Sequence, residues 1–376
     1  MKTIPIIVLS ALALLFSCKG QDTKRLAYDK IANIAKGDRV SVLGNDLMNI
    51  LQDKNNIYWF GSWTDGVYRY DPGTTAGHKK SIAHFTTKDG LCDNKIEAIQ
   101  TDKSGNIYFT TGNGISQFDG KRFKTLEPSS ASTSDWKLQT DDLWFKGAQD
   151  SGVVYRYDGS KLYRLKFPKT KAGEDFIAKY PRSQNPFMTY NPYDVYKIYK
   201  DRKGNVWFGT SSLGICRYDG KKHEWMYEKH LSELEGAGSF GIRSILQDEK
   251  GKFWFCNTKY RYNIEKSESD KSDSIHYRRE KGIENLVTKD GKDFTYFMSI
   301  IEDKNGEIWM ADRGVWRFNN RAHGKGQQLT FYPTTDADKI VSVFSIYQDN
   351  FGDIWLGTHE HGVYKFNGKA FERFMP

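Results

Sequence analysis

Asp201-Arg-Lys-Gly204-Asn-Val-Trp207-Phe-Gly209-Thr210, closed by Gly214-Ile-Cys-Arg-Tyr218-Asp219-Gly220, is one copy of a phrase that returns along the whole chain. It reappears as Asp53…Ile57-Tyr-Trp59-Phe-Gly61, as Asp102…Gly105-Asn-Ile-Tyr108-Phe-Thr and as Asp248…Gly251-Lys-Phe-Trp254-Phe. Two more copies are Asp303…Gly306-Glu-Ile-Trp309-Met and Asp349…Gly352-Asp-Ile-Trp355-Leu-Gly357-Thr358. A shortened copy, Asp142-Leu-Trp144-Phe-Lys-Gly147, brings the count to seven. Repeats of this length mark a stacked or circular array of one supersecondary unit.

Each unit reads as four short strands. The first is apolar at nearly every position, as in Phe297-Met-Ser-Ile300-Ile301 and Ile242-Arg-Ser-Ile245-Leu246, a pattern expected of a strand buried on both faces. A tight Asp-x-x-Gly turn follows, with glycine supplying positive φ and aspartate bonding nearby backbone amides. The second strand carries Trp and Phe, the third reads Gly-Val-Tyr-Arg-Tyr-Asp, and the fourth is an aromatic edge such as Phe123-Lys-Thr-Leu126. Four antiparallel strands repeated radially make the β-propeller plan. The expected fold is therefore all-β, a seven-bladed β-propeller of four-stranded antiparallel blades over residues 39–376. The strand tryptophans and tyrosines belong between neighbouring sheets, and glycine near the axis lets the inner ends approach. Two stretches break the rhythm: a long polar connection, Lys166 to Asn191, and a charged insertion in the fifth blade, Lys266 to Ser274. The last strand is complete without help from the N-terminus, so no closing strand can be named.

Composition is that of a folded β-rich chain, with 15% aromatic residues and 34 glycines in 376. The exception is the start, where Lys2 precedes the apolar run Ile4 to Phe16 and then Ser17-Cys18, the plan of a secretory signal. Leu15-Phe16-Ser17-Cys18 resembles the bacterial lipobox, in which cleavage leaves a lipid-bearing cysteine at the new N-terminus. That resemblance implies a signal peptide over 1–17, lipidation at Cys18 and a tether over 18–38, with the acyl chains as the only membrane attachment. Cys92, Cys216 and Cys256 have neither disulfide-framework nor zinc spacing, and the last two sit in expected strands as small buried hydrophobes. The formal net charge is +9, but Lys and Arg are scattered through turns rather than gathered in a stripe, which argues against nucleic acid.

"DRKGNVWFGTSSLGICRYDG" and "DNFGDIWLGTHEHGVYKFNG" resemble the two-component regulator propeller repeat, found in periplasmic sensor regions of Bacteroidetes-type hybrid histidine kinases. The resemblance runs from about residue 40 to the end and is weakest in the third copy. It implies a ligand-binding, sensor-like propeller, often for glycans, here without a following membrane helix or kinase. It also implies the envelope of a Gram-negative bacterium, facing the periplasm or the cell surface. A looser likeness is to seven-bladed streptogramin lyases, which use a histidine, acidic residues and magnesium; no motif of theirs matches residue by residue. The sialidase Asp-box has one residue between aspartate and glycine where every clear copy here has two, so that activity is not expected.

The repeated aspartates lack the ligand alternation of a calcium loop and read as structural. Chemistry belongs where blades differ, in the loops between second and third strands. These supply the candidate ligand-binding residues Trp63, Asp65, Lys146, Asp150, Asp312, Arg313, His359, Glu360 and His361. Trp63 suits a sugar ring, and Asp312-Arg313 suits a bidentate clamp on an acidic group. His359 and His361, one residue apart at an expected strand end, point the same way and suit a divalent metal or a base. No cofactor is otherwise expected and no catalytic residue is assigned. The functional reading is a module that binds a glycan, another small molecule or an envelope protein. Its alternatives are a metal-assisted lyase or hydrolase and a structural platform.

Overall fold

The inner two strands of every full repeat are tied by the Asp-x-x-Gly turn, with Asn56 at a φ of 62° in place of glycine in the first, and the turn is tied to the aromatic residue that follows. In the fourth repeat Asp201 Oδ1 accepts the backbone N–H groups of Lys203 and Asn205, both at 2.9 Å. Its Oδ2 accepts the Trp207 indole N–H at 2.8 Å. The same Asp-to-indole bond recurs at Asp53–Trp59 (3.0 Å), Asp248–Trp254 (3.1 Å), Asp303–Trp309 (3.0 Å) and Asp349–Trp355 (2.8 Å). In the second repeat Tyr108 takes the indole's place, its hydroxyl donating to Asp102 at 2.9 Å. A buried indole N–H with no acceptor is costly, so a six-residue spacing from Asp to Trp is itself a fold signal.

The computed structural model describes residues 35–376 apart from 74–78, 130–134, 150, 182–190, 228–230, 232, 235–237, 240, 266–272, 284–285, 288–290, 292–295, 321–328 and 337–338. Cys18 and the expected signal and tether up to residue 34 lie outside that set, as do Asp150 and most of the charged insertion. The fold is an all-β propeller. Four of its blades are the antiparallel sheets Ile96–Thr101 to Phe123–Leu126, Val195–Lys200 to His223–Met226, Ile245–Gln247 to Tyr277–Lys281 and Ser299–Glu302 to Leu329–Tyr332. A nine-stranded sheet joins the first blade (Leu47–Gln52 to Ser81–Phe85) to the last (Val343–Gln348 to Phe371–Arg373) through one pair, Leu47 opposite Thr358. Asp38–Val40 adds an outer strand antiparallel to Ser81–Phe85, so the first blade extends one residue further towards the N-terminus than expected. No helix among the described residues is long and apolar enough to cross a membrane.

The first and last blades meet by side chains rather than by a shared strand. Tyr58 donates its hydroxyl proton to Asp349 at 2.7 Å, and Ser345 donates to the Met48 carbonyl at 2.6 Å. Trp355 packs with Leu47, Tyr58 and Phe60 of the first blade. Elsewhere too the tryptophans lie between neighbouring blades, as Trp59 does against Ile96, Ile107 and Phe109. Each tryptophan is covered on its own sheet by the cation opposite it on the third strand: Arg69 over Trp59 (6.0 Å), Arg217 over Trp207 (5.6 Å), Arg317 over Trp309 (5.2 Å) and Lys365 over Trp355 (5.2 Å). Part of the positive charge is therefore structural rather than scattered through turns. The glycine of Gly-Thr does lie where inner strands crowd. A Cβ on Gly209 would stand 2.5 Å from the Ile242 carbonyl oxygen, and one on Gly61 2.6 Å from Ile96 Cγ2.

The structure corrects three expectations. The strand buried throughout is the second, as in Tyr58–Ser62, Val206–Thr210 and Ile354–Thr358, while the first is only partly covered because it borders the axis. The polar connection after the third blade contains a helix, Lys171–Lys179, whose first turn is capped by Thr170 accepting the Gly173 N–H at 3.1 Å. Most important, among the described residues the third blade has no strand on the axial side of its tryptophan strand. Leu143–Lys146 pairs with Val153–Tyr157 in the register of a second strand, Trp144 opposite Arg156 as Trp207 is opposite Arg217. Its remaining short strand, Pro128–Ser129, lies at the outer edge, parallel to Leu162–Lys166. The cause is in the sequence: Glu127 to Asp135 is polar and Ser-rich, with no apolar run to fill an inner position. Trp136 and Leu138 pack instead into the core between the third and fourth blades. Asp142 stands only two residues before Trp144, so its carboxylate goes to buried Arg156 (2.7 Å) and the Trp144 indole N–H is buried without an acceptor.

Candidate functional site

Inner strands begin with a shared pattern: an apolar residue, a variable one, a small or polar one, then isoleucine. It reads Leu47-Met48-Asn49-Ile50, Ile96-Glu97-Ala98-Ile99, Val195-Tyr196-Lys197-Ile198, Ile242-Arg243-Ser244-Ile245, Phe297-Met298-Ser299-Ile300 and Val343-Phe344-Ser345-Ile346. The register to the second strand slips at the variable residue, between Leu47 and Asn49, Ile96 and Ala98, Val195 and Lys197, and Val343 and Ser345. Such a bulge re-aims the side chain it contains. Met48, Glu97, Tyr196, Arg243, Met298 and Phe344 all line one cavity of about 570 Å³. Ligand sites of small molecules are commonly of this size, about 300–1,000 Å³. Trp144 and Lys146 complete the wall where the third blade lacks an inner strand.

The small or polar residue of the pattern ties one inner strand to the next. Asn49 donates to the Ile96 carbonyl at 3.0 Å, and Ser345 closes the same link onto Met48. Ser244 and Ser299 accept the backbone N–H groups of Ile300 (3.1 Å) and Ile346 (3.0 Å). On the side of the missing strand, Gln100 reaches across and donates to the Trp144 carbonyl at 3.0 Å.

The cavity wall is predominantly cationic. Glu97 sits between Lys95 (2.7 Å) and Lys146 (2.9 Å). Burial alone would raise its pKa, but those two ammonium groups outweigh it and hold the carboxyl below the usual range. Arg243 stacks over the Tyr196 ring at 4.3 Å, and Lys95 over Trp63 at 4.1 Å. Lys197 is reachable by solvent in the cavity but walled by protein, and that burial, with Lys146 adding to it, lowers its pKa.

Of the expected loop residues the cavity brings together Trp63, Lys146 and His359. His359 lies 3.8 Å from Asp46 and 3.4 Å from Glu360. The other described candidates, Asp65, Asp312, Arg313, Glu360 and His361, do not line it. The Asp65 carboxylate accepts the Tyr68 hydroxyl at 2.6 Å and lies 3.5 Å from His84. Asp312 is largely buried, which raises its pKa against the opposing pull of Arg313, itself exposed at the turn. The two histidines are not on a strand: Ile354–Thr358 ends before them, and Glu360 takes a left-handed φ of 70°. That turn separates His359, which lines the cavity, from His361, which does not. Among the described residues no group of three His, Cys, Asp or Glu is placed to hold a metal ion. Cys92, Cys216 and Cys256 are free thiols, and burial pushes Cys256 up to about 12.

Sequence reasoning missed the variable residue of the inner strand. The signal was present: a position reading Met, Glu, Tyr, Arg, Met and Phe inside an otherwise repeated strand is one that the repeat leaves open.

Residues 189–212 and 339–360 match the family described as Two component regulator propeller. The chain carries two-component regulator propeller repeats. Each matched segment spans an inner strand, its turn and the tryptophan strand. Histidine kinase P4 of Formosa agariphila is 24% identical over 176 residues, 44% of this chain and 12% of the kinase. The extracellular domain of the hybrid two component system BT4673 from B. thetaiotaomicron has a similar structure, with a TM-score of 0.51 and 20% identity over 87% of this chain and 39% of that one. Virginiamycin B lyase from Staphylococcus aureus reaches a TM-score of 0.56 at 12% identity, over 87% of this chain and 97% of the lyase. The chain thus spans 12% of the kinase and less than half of the BT4673 domain. At these identities structural likeness establishes the propeller fold alone.

Proposed function

We propose that this propeller is a ligand-binding module of the bacterial cell envelope, sensor-like in its binding but considered apart from any kinase. Its ligand, a glycan fragment or another small molecule, enters the axial cavity past Trp63, Lys146 and His359. The observation that carries the reading is the cavity of about 570 Å³ walled by variable side chains of separate blades, on a side where the described residues of the third blade supply no inner strand. The blades form a closed seven-membered ring, and Cys18 carries the lipid that holds it to the membrane. A calorimetric screen of the mature protein against oligosaccharides and small metabolites tests this reading. Binding should be abolished by Ala98→Phe, which fills the cavity, and retained in Asp65→Ala, outside it. A ligand whose affinity ignores Ala98→Phe would place binding elsewhere. The anchor has a separate test: if Cys18→Ser still partitions into the detergent phase, lipidation at that residue is wrong.

A further inference from the structure

Lys197 departs from a rule that its neighbours obey. At the third position of the inner-strand pattern, Asn49, Ser244, Ser299 and Ser345 each spend their polar group on the next inner strand. Ala98 has no polar group and faces the blade whose inner strand is missing. Lys197, at the same position in the fourth blade, lines the cavity and has no hydrogen-bond or ion-pair partner among the described residues. By the same rule it faces the fifth blade, whose Cys256 is close enough to act on it, and Lys146 of the third blade is the nearest like charge.

We infer that the cavity takes a small anionic molecule, with a carboxylate, sulfate or phosphate group held against Lys197. The inference rests on the reading that the ligand occupies this cavity. The lining holds three cations, Lys146, Lys197 and Arg243, against one carboxylate, Glu97. That carboxylate is already satisfied by Lys95 and Lys146 and leaves Lys197 uncompensated. An unpaired ammonium in an enclosed site is unfavourable both through lost hydration and through the like charge of Lys146. An oxyanion reverses both effects, and the planar Arg243 guanidinium, stacked on the neighbouring Tyr196 ring, adds a second donor group suited to such oxygens. Tyr196, Phe344 and Met298 supply apolar wall for the body of the molecule.

The test is a melting-temperature series on the full mature chain with sodium sulfate, sodium phosphate and sodium glucuronate, at ionic strength held constant with sodium chloride. Neutral glucose and cellobiose are run beside them. At least one anion should raise the melting temperature by about 2 °C or more at a hundredfold excess over its Kd. Lys197→Met should abolish that rise, while Lys369→Met, an exposed turn residue, keeps it. Without added anion Lys197→Met should melt no lower than the parent, because it removes an unpaired charge; that result shows the variant is folded. A rise that persists in Lys197→Met overturns the inference. Neutral sugars that bind and are lost in Ala98→Phe, with no response to any anion, overturn the anion while leaving the cavity reading in place. No response to any compound, charged or neutral, overturns both.

Discussion

Replacing Asp201 by Ala and Trp207 by Phe, singly and together, tests whether the recurrent residues build blades rather than sites. Trp207 is fully buried and Asp201 only 7% exposed, so neither the indole N–H nor its acceptor has water as a substitute partner. In Asp201→Ala the turn amides of Lys203 and Asn205 can reach solvent, but the Trp207 N–H cannot. Leaving such a donor unsatisfied costs about 1–3 kcal/mol, and loss of the charge-assisted bonds around the turn brings the total to about 3 kcal/mol. Trp207→Phe costs about 2 kcal/mol, chiefly for the space left in the core. In the double variant the orphan donor no longer exists, so the two losses should fall short of additivity by about 2 kcal/mol. Urea unfolding followed by circular dichroism measures all four proteins. The third blade supplies an internal control. Trp144 has no acceptor in the parent, so an Asp142→Ala and Trp144→Phe cycle should couple by less than about 0.5 kcal/mol. Coupling of that small size at Asp201–Trp207, or equal coupling in both blades, would refute the reasoning.

Three further outcomes are expected. His223 sits among Trp136, Tyr218 and Phe167, and burial lowers its pKa to about 4. The unfolded chain therefore binds a proton near the ordinary value of 6.5 that the folded chain refuses, and stability is complete above 6.5 and lost as pH falls towards 4. The loss amounts to about 3 kcal/mol, and His223→Phe should flatten a stability profile across that window. Tyr58→Phe leaves Asp349 without one donor where the first and last blades meet and should cost about 1.5–3 kcal/mol by urea unfolding; a loss below 0.5 would mean that the bond contributes little. Gly209→Ala drives a methyl group against the Ile242 carbonyl and should destabilise by about 1–3 kcal/mol, whereas Gly159→Ala, with open space around it but φ of 91°, should cost only the backbone strain of about 1 kcal/mol.

The propeller was legible in the chain because each blade is built from local rules. An aspartate six residues before a tryptophan, a glycine at the turn and a cation opposite the indole are read within about twenty residues, and all of them are satisfied within one sheet. The same logic marks the third copy as irregular from its shortened Asp142-Leu-Trp144 spacing. Its consequence was not local. A reader of the sequence sees a weak repeat, whereas the structure shows no strand at the inner position among the described residues, in keeping with the lack of an apolar run in the Ser-rich segment before Asp142.

The candidate site divides in the same way. Trp63, Lys146 and His359 line the cavity from one end of their blades, in loops or, for Lys146, at the end of a strand, a placement that the repeat register alone specifies. Asp65, Asp312 and His361 stand at the same end and do not line it, since the direction of such a side chain depends on turn geometry such as the left-handed Glu360 and on partners such as Tyr68. Sequence by itself determined the repeat, the blade and the end of the blade at which loops gather, since these follow from hydrogen bonds and packing between residues close along the chain. Only the tertiary structure decided that six variable residues from separate blades share one wall, and that Lys197 alone among the polar residues at its position has no partner among the described residues. Those facts depend on which strand stands beside which around the axis, a relation between residues as far apart as Met48 and Phe344 that no local pattern encodes.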